Sequence, residues 1–395
     1  MNYILFDDQR EQLFPFTHTR PVAHIRCGIL TMRARWEMNL QSATGVLTDA
    51  YLQDLTGDAQ GDDNTFINAS VAGDCPLATA VKALQPGHKL VMGNVVVAAR
   101  TGKVAGLQQL ATAIEGMTAV AYAGNAFALR NIWDIFSLND RAIREDFQLI
   151  TFNRTSAPLP GNIIVSGAEN VFLEQGAKIA PGTVINATTG PVYLGTDAEV
   201  MEGCMLRGPL ALCDHAVLKM GAKVYGATTL GPGTKAGGEI SNVVFFANSN
   251  KGHDGFLGNA VIGEWCNLGA DTNASNLKNN YDEVKVWSIQ QNQLVKTGLT
   301  FCGLLMGDHS KCGINTMFNT GTVVGVSSNI YGGDFPDKYI PSFSWGGSDS
   351  MVTYKFQQAM DTANRMMARR GTQLSPAELK MYQHLFNEAT AGRDN

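Results

Sequence analysis

The sequence lacks the features that mark disulfide-rich, membrane-spanning and nucleic-acid-binding proteins. Its seven cysteines form no Cys-x-x-Cys pair, and an odd number without a secretory signal indicates reduced thiols. No stretch approaches 18 apolar residues, so no membrane-spanning helix is predicted. The net charge of −5 gives no reason to expect a nucleic-acid partner. These absences predict a cytoplasmic protein with neither a membrane nor a nucleic-acid partner.

Glycine is plentiful, with 42 residues, and apolar residues recur at every sixth position in one long run. A period of six fits neither a helix nor a freely running strand. It is typical of a hexapeptide coil, in which each short strand and its turn use six residues. The register returns at Phe256, Ile262, Leu268 and Ala274, and again between residues 306 and 330. The first run consists of Leu194, Val200, Leu206, Leu212, Leu218, Val224 and Leu230.

The pattern divides the chain into three parts. Residues 1–155 mix predicted strands and helices, and residues 162–335 form the predicted parallel coil. The stretch 275–299 breaks the period and is predicted to project as a loop from one corner of the coil. Residues 348–389 change to helical spacing, and Ser375-Pro376-Ala377-Glu378 has the form of a capping box that begins a second tail helix.

One segment of the coil carries residues suited to acyl transfer. It reads Lys251-Gly252-His253-Asp254-Gly255-Phe256-Leu257-Gly258-Asn259-Ala260. Transfer from a thioester to an amine needs a base that takes the proton as nitrogen attacks, and histidine titrates in the right range. A zinc site is a weaker interpretation, because His215, His253 and His309 are far apart in sequence and none belongs to a close pair.

This segment resembles the acetyltransferase half of the bifunctional N-acetylglucosamine-1-phosphate uridyltransferase/glucosamine-1-phosphate acetyltransferase family. That family has a Gly-His pair, an aromatic residue and Leu-Gly-Asp-Ala at the same spacing, and the close match covers roughly residues 250–330. The resemblance implies a left-handed β-helix, acetyl-CoA as acyl donor, a sugar phosphate or nucleotide sugar as partner, and a homotrimer. It also implies a product among cell-envelope precursors. By resemblance, His253 is the catalytic base, Asn267 and Tyr281 contact the sugar, Phe256 holds the family's aromatic position, and the backbone around Ala270 lies near the acyl donor. Lys285 is a further candidate for substrate binding.

The sequence departs from that family where the family binds the sugar phosphate. The family has an arginine in Leu-Arg-Pro-Gly, whereas this chain reads Leu230-Gly231-Pro232-Gly233. Lys235, Lys251 and Lys285 are the candidates to replace the missing charge, and the acyl acceptor is therefore left open.

The N-terminal part resembles sugar-1-phosphate nucleotidyltransferases, which implies a Rossmann-like α/β domain. The resemblance rests on Arg10 to Val22 and on Gly73-Asp74-Cys75-Pro76-Leu77. It implies that Arg10 and Arg20 bind a nucleotide or phosphate and that Asp74 binds Mg²⁺. The family's glycine-rich loop is absent, since Asp7-Asp8-Gln9 stands in its place. A degenerate domain that binds a nucleotide sugar without making one is therefore expected.

Three functions follow from these resemblances. The first is an acetyl-CoA-dependent acyltransferase acting on an amino-sugar phosphate or nucleotide amino sugar. The second is an active sugar-1-phosphate nucleotidyltransferase in which the coil only trimerises the protein. The third is a non-catalytic nucleotide-sugar-binding scaffold. The first is preferred because the motif around His253 is the most specific.

Overall fold

The computed structural model describes residues 2–57 and 59–391. It divides into two compact units. The first contains the residues up to Ile25 together with Leu30–Asn131 and Pro376–Tyr382. The second contains Arg26–Ile29, Ile132–Ser375 and the residues from Gln383 onward. No helix in the described part of the chain is both long enough and apolar enough to cross a bilayer.

The first unit is a mixed sheet with helices, as the sequence predicts. Its opening strand lies between two parallel neighbours, and the other strands extend the sheet through antiparallel pairs and one further parallel pair. In sheet order the strands are Thr44–Leu47, Asn2–Phe6, Asn64–Asn68, Val95–Thr101, His88–Met92 and Thr118–Ala121. The helices are Met32–Leu40, Ala50–Gln53, Cys75–Lys82 and Leu107–Glu115, with single 3₁₀ turns at Arg10–Leu13 and Val22–His24.

The second unit begins with two helices, Asp134–Ser137 and Asn139–Thr151, and continues as a parallel coil with three faces. The first face consists of Ile164–Ser166, Val184–Asn186, Met205–Arg207, Lys223–Tyr225, the starts of Glu239–Phe245 and Phe256–Ile262, Asn273–Ala274 and Met317–Phe318. The second consists of Val171–Leu173, Val192–Leu194, Leu210–Leu212, Thr228–Leu230, the ends of the same two long strands, Leu305–Met306, Val323–Val324 and Tyr339–Ile340. The third consists of Lys178–Ile179, Glu199–Val200, Val217–Leu218, Lys235–Ala236, Asn250–Lys251, Asn267–Leu268, Lys311–Cys312, Asn329–Ile330 and Ser344–Gly346.

The six-residue period is the inward ladder of this coil. Each member of the run from Leu194 to Leu230 is at most 3% exposed. Three steps of six return the chain to the same face, so Leu206 pairs with Val224 and Leu212 with Leu230 on the next coil. The parallel β-helix is therefore confirmed, while its left-handed sense stays an expectation from the resemblance.

The prediction that Phe256 belongs to the ladder is wrong by one residue. Leu230 pairs with Phe245 only 15 residues later, so this coil is shorter than the preceding ones. The inward positions shift accordingly, and Leu257, which is fully buried, takes the place expected for Phe256. The same shift places Lys251 in register with the inward-facing Ala236.

The projecting stretch contains a hairpin that the sequence did not predict. Its strands Lys285–Ser288 and Gln293–Lys296 pair antiparallel. Val286 in the first strand is buried, and so is Val284 just before it. After the coil, a last strand at Met351–Thr353 is followed by the two tail helices Phe356–Ala368 and Pro376–Thr390. Met360 and Met367 lie on the buried face of the first of these helices.

Removing one rung of the ladder should destabilise the coil. In Leu206→Ala, loss of buried methyl groups and the cavity left behind should lower the free energy of unfolding by about 2–5 kcal/mol. Arg207→Ala is the matched control, because the neighbouring side chain is exposed and such changes usually stay within about 0.5 kcal/mol. Chemical denaturation measures both. Equal effects of the two variants would contradict the ladder assignment.

Candidate functional site

His253 lies on a corner of the coil that closely packed backbone holds in place. The corner Gly252–Gly255 follows the strand Asn250–Lys251, and the imidazole is exposed. The amide of Phe256 donates to Asn273 Oδ1 at 2.8 Å, and the amide of Glu239 donates to Gly255 O at 3.2 Å. These bonds attach the corner to the coils before and after it. They therefore hold the backbone of His253 at a fixed position on the surface of the coil.

Gly238 is required by the close approach of this corner. It has a φ of +77°, a conformation that L side chains rarely adopt. A Cβ atom there would lie 3.0 Å from His253 O and 2.7 Å from Gly255 O. Glycine thus allows two successive corners to pack directly on each other.

A buried lysine supports the same corner from inside. The ammonium of Lys251 donates to His253 O at 2.9 Å, to Asp254 O at 3.1 Å and to Gly237 O at 3.3 Å. Burial lowers the pKa of Lys251 to about 8, although Asp254 acts in the opposite direction. No residue of the described chain forms a hydrogen bond with the imidazole of His253 itself.

Three of the residues assigned from the sequence line one cleft of about 570 Å³. His253 lies on one coil, Asn267 and Ala270 lie on the next, and all three face the same space. Asn250 and Asn267 are register partners on neighbouring strands, so their amides line the cleft side by side. The arrangement places a base, an amide and a stretch of backbone around a single ligand-sized volume.

The cleft is also rich in cationic side chains, most of which were not predicted from the sequence. Lys219, Lys235, Arg369 and Arg370 line it together with His253. Only Lys235 had been considered as a substitute for the family's arginine. Arg370 donates to Gly233 O at 2.5 Å and lies over the Trp265 ring, 5.9 Å from its centre. The sequence feature that could have indicated them is the pair of arginines directly after an amphipathic tail helix.

The other residues assigned to the substrate do not line this cleft. Tyr281 is 72% exposed on the projecting stretch, where its amide donates to Lys278 O at 2.9 Å. Lys285 is exposed on the hairpin and pairs with Lys296. Phe256 follows the His253 corner and pairs with Glu239 on the first face of the coil. Their substrate contacts stay predictions.

A second cleft of about 670 Å³ lies on the other side of His253. It shares Lys219, Gly252 and Ala270 with the first cleft, and it adds Met220 and Asp271. Met220 is 70% exposed. His253 therefore stands on the border between two open spaces.

In the first unit, Arg10 is bound to its own domain. Its guanidinium donates to Asp49 Oδ2 at 2.6 Å, to the Tyr51 hydroxyl at 2.9 Å and to Thr17 O at 2.5 Å. The side chain is only 4% exposed, and Arg20 is 8% exposed. A phosphate would have to displace these contacts to reach Arg10, so the phosphate-binding role predicted for it has no support in the geometry.

Asp74, assigned to Mg²⁺, caps a helix. Its Oδ1 accepts the amide of Leu77 at 2.7 Å at the N-terminus of Cys75–Lys82. The sequence Asp-Cys-Pro is typical of such a start, with proline in the first turn. Within residues 2–57 and 59–391, no group of three or more His, Cys, Asp or Glu side chains is arranged to hold a metal ion.

The first unit has a pocket of about 490 Å³ at the carboxyl end of its opening strand. Asp7, Asp8 and Gln9 line it where the nucleotidyltransferase family has its glycine-rich loop. Asp7 accepts the amide of Val22 at 2.8 Å and the Thr48 hydroxyl at 2.6 Å, and burial raises the pKa of Asp7 to about 6. The other side is apolar, formed by Leu107, Leu110, Ala111 and Ile114.

Comparisons with known proteins match both parts of the chain. Residues 3–155 match the model of a sugar nucleotidyl transferase family. The bifunctional protein GlmU of Kineococcus radiotolerans is 28% identical over 240 residues, which cover 55% of this chain and 45% of that protein. A bifunctional sugar-1-phosphate nucleotidylyltransferase/acetyltransferase of Sulfurisphaera tokodaii is 28% identical over 214 residues, covering 54% and 47%.

The chain is similar to GlmU-type bifunctional proteins, and its residues 3–155 match the sugar nucleotidyl transferase family. It is a transferase, and it spans less than half the length of the two bifunctional relatives. The uncharacterized acetyltransferase YaiX of Escherichia coli O6:K15:H31 (strain 536 / UPEC) is 23% identical over 201 residues, covering 49% of this chain and 86% of YaiX. The chain therefore combines the two similarities that its sequence led us to expect.

Substitution of Asp74 distinguishes a helix cap from a metal ligand. Asp74→Ala should lower the free energy of unfolding by about 0.5–2 kcal/mol, whereas Asp74→Asn should retain most of it, because asparagine also caps helices well. Thermal unfolding with and without Mg²⁺ measures the difference. A stabilisation by Mg²⁺ that both variants abolish would instead show that Asp74 binds the metal.

Proposed function

We propose that the coil transfers an acetyl group from acetyl-CoA to the amine of an amino-sugar phosphate or nucleotide amino sugar, with His253 as the base. The observation that carries this proposal is the meeting of His253, Asn267 and Ala270 in one cleft. The relatives named acetyltransferase or bifunctional transferase support the reaction class.

The reaction is a direct transfer without an acyl-enzyme. The amine nitrogen attacks the thioester carbonyl carbon while His253 takes a proton from that nitrogen. The carbon–sulfur bond then breaks, and the departing thiolate of coenzyme A takes up a proton. Asn267 contacts the sugar, and the backbone around Ala270 lies beside the acyl donor. The exposure of His253 to both clefts allows the two substrates to approach it from different sides.

The cations of the first cleft suit the phosphates of these substrates. Lys219, Lys235 and the two tail arginines line it, whereas the family's Leu-Arg-Pro-Gly arginine is absent. Charge-assisted hydrogen bonds to phosphate are the strong class of polar contact in proteins. We assign Lys235 to the nucleotide phosphates of acetyl-CoA. Of the other two candidate lysines, Lys251 is buried and Lys285 lies on the hairpin.

The active form is a homotrimer in which the neighbouring coil completes the site. Exposed apolar residues flank His253 on both sides, Met220 at 70% and Ile314 at 69% exposure. A neighbouring subunit would cover them and supply the partner that orients the imidazole, as general bases in such sites require.

The N-terminal domain is degenerate and does not carry out nucleotidyl transfer. Arg10 and Asp74, which would serve nucleotidyl transfer, already serve the fold. The carboxylates of Asp7 and Asp8 line the pocket where a triphosphate would need neutral or positive groups. This supports the degenerate domain over an active nucleotidyltransferase.

Replacement of His253 should abolish acyl transfer. His253→Ala should reduce thiol release from acetyl-CoA by about 10²–10⁴-fold with glucosamine 1-phosphate or a UDP-linked amino sugar, because the base is lost. His215→Ala is the matched control, since that histidine is also exposed on a coil corner but lies outside both clefts.

Light scattering should show the same mass for both variants and the wild type. The proposed function would be contradicted if the intact wild-type protein released no thiol with any amino sugar. Pyrophosphate release from a nucleoside triphosphate, a sugar 1-phosphate and Mg²⁺ would then favour the nucleotidyltransferase alternative.

Replacement of Lys235 tests whether the cleft binds the nucleotide end of the donor. Lys235→Gln should raise the KM for acetyl-CoA by about tenfold with little change in kcat, because one charged hydrogen bond is lost. With acetyl-pantetheine, which lacks the nucleotide phosphates, the variant and the wild type should have the same KM. Lys223→Gln, exposed on another face of the coil, is the control. An equal increase in KM for acetyl-CoA and for acetyl-pantetheine would assign Lys235 to the sugar substrate instead.

A further inference from the structure

Lys251 occupies a position that elsewhere in the coil is apolar. It pairs in register with Ala236, whose side chain is fully buried, and the next coil has Leu268 at the equivalent place. Lys251 itself is only 1% exposed. A buried cation is costly unless its hydrogen bonds are satisfied. The fold therefore tolerates this lysine only because of what its ammonium binds.

All three hydrogens of that ammonium have carbonyl acceptors at two corners of the coil. Two acceptors are His253 O and Asp254 O, and the third is Gly237 O on the preceding coil. An ammonium has three donors and no acceptor, so this arrangement uses it completely. The bonds connect the backbone that carries the proposed base to the coil before it.

The nearby charged groups favour the protonated form without forming a direct ion pair with it. Asp254 on the same corner, Asp271 on the next coil and the Cys312 thiol all act to raise the pKa of Lys251, while burial lowers it to about 8. Lys251 is therefore protonated at neutral pH and loses its third donor as the pH rises above about 8.

We infer that Lys251 is a positioning residue for His253, whose corner it holds from inside the coil. The expected effect of Lys251 on the reaction rate rests on the proposed acyl transfer. Its expected effect on the rigidity of the His253 corner does not depend on that proposal. An apolar residue would fill the same place in the ladder, as Ala236 and Leu268 do. Unlike an apolar residue, Lys251 also donates hydrogen bonds to the carbonyls of His253 and Asp254.

Lys251→Met tests the inference, with Lys311→Met as the matched control. Lys311 also has a pKa lowered to about 8 by burial, and its ammonium donates to the carbonyl of another corner histidine, His309, at 2.7 Å. That corner does not line either cleft. The two variants therefore remove the same kind of group from two corners, of which one carries the base.

Lys251→Met should reduce kcat by about tenfold to a hundredfold, because a displacement of the base by 1 Å has effects of this size. Both KM values should change by less than about threefold, since the base is not a binding group. The wild-type kcat should decline above about pH 8, and this decline should be absent from the variant. Lys311→Met should keep the wild-type kcat and pH profile.

Hydrogen–deuterium exchange provides a readout that does not depend on the reaction. The amides of residues 252–256 should exchange at least tenfold faster in Lys251→Met, with the rest of the coil unchanged. Unchanged exchange at this corner and an unchanged kcat in a folded variant would overturn the inference. Faster exchange in a protein that transfers no acetyl group would retain the positioning role and reject the proposed function alone.

Discussion

Each coil of the second unit can bury its apolar side chains only against the coils on either side. The inward residues form one continuous column, in which pairs such as Leu206 and Val224 lie directly above each other. A single coil has no core of its own, so all coils must stack for any of them to be stable. This dependence makes the corners between strands rigid, although they lie at the surface.

The candidate site uses this rigidity. His253 belongs to one coil and Asn267 and Ala270 to the next, so the spacing between these coils fixes the distance of His253 from the other two. The corner of His253 has little freedom of its own, because Gly238 packs against it on one side and Asn273 accepts a hydrogen bond from it on the other. The one feature that departs from the apolar column, Lys251, lies directly beneath that corner. The buried ammonium of Lys251 thus lies beside the backbone segment that positions His253.

The sequence predicted what repeats and missed what depends on long-range packing. The period of six identified the coil and the ladder from Leu194 to Leu230. The local motif selected His253 as the candidate base, and that role stays a prediction. The period failed at Phe256 because one coil is 15 residues long, which shifts the inward position to Leu257 and turns Lys251 inward. No local pattern could reveal that shift before the pairing was known.

Other contacts that the sequence did not reveal share the same physical origin. The phosphate-binding role of Arg10 was implied by the family resemblance of its loop and stays a prediction, but its partners Asp49 and Tyr51 come about 40 residues later. Arg369 and Arg370 were missed because they follow the cleft by about 100 residues in sequence and reach it only through the tail helix. Charged side chains find partners in space, and sequence spacing alone does not identify them.

The central claim is that the cleft beside His253 holds the acyl donor. A crystal structure of the full chain with coenzyme A tests it most directly. The account predicts the thiol sulfur within about 4 Å of the imidazole of His253, a distance that permits contact, with the backbone of Ala270 beside the pantetheine and Lys235 on a phosphate. Coenzyme A bound only at the pocket of Asp7 and Asp8, with the His253 cleft occupied by solvent, would contradict it.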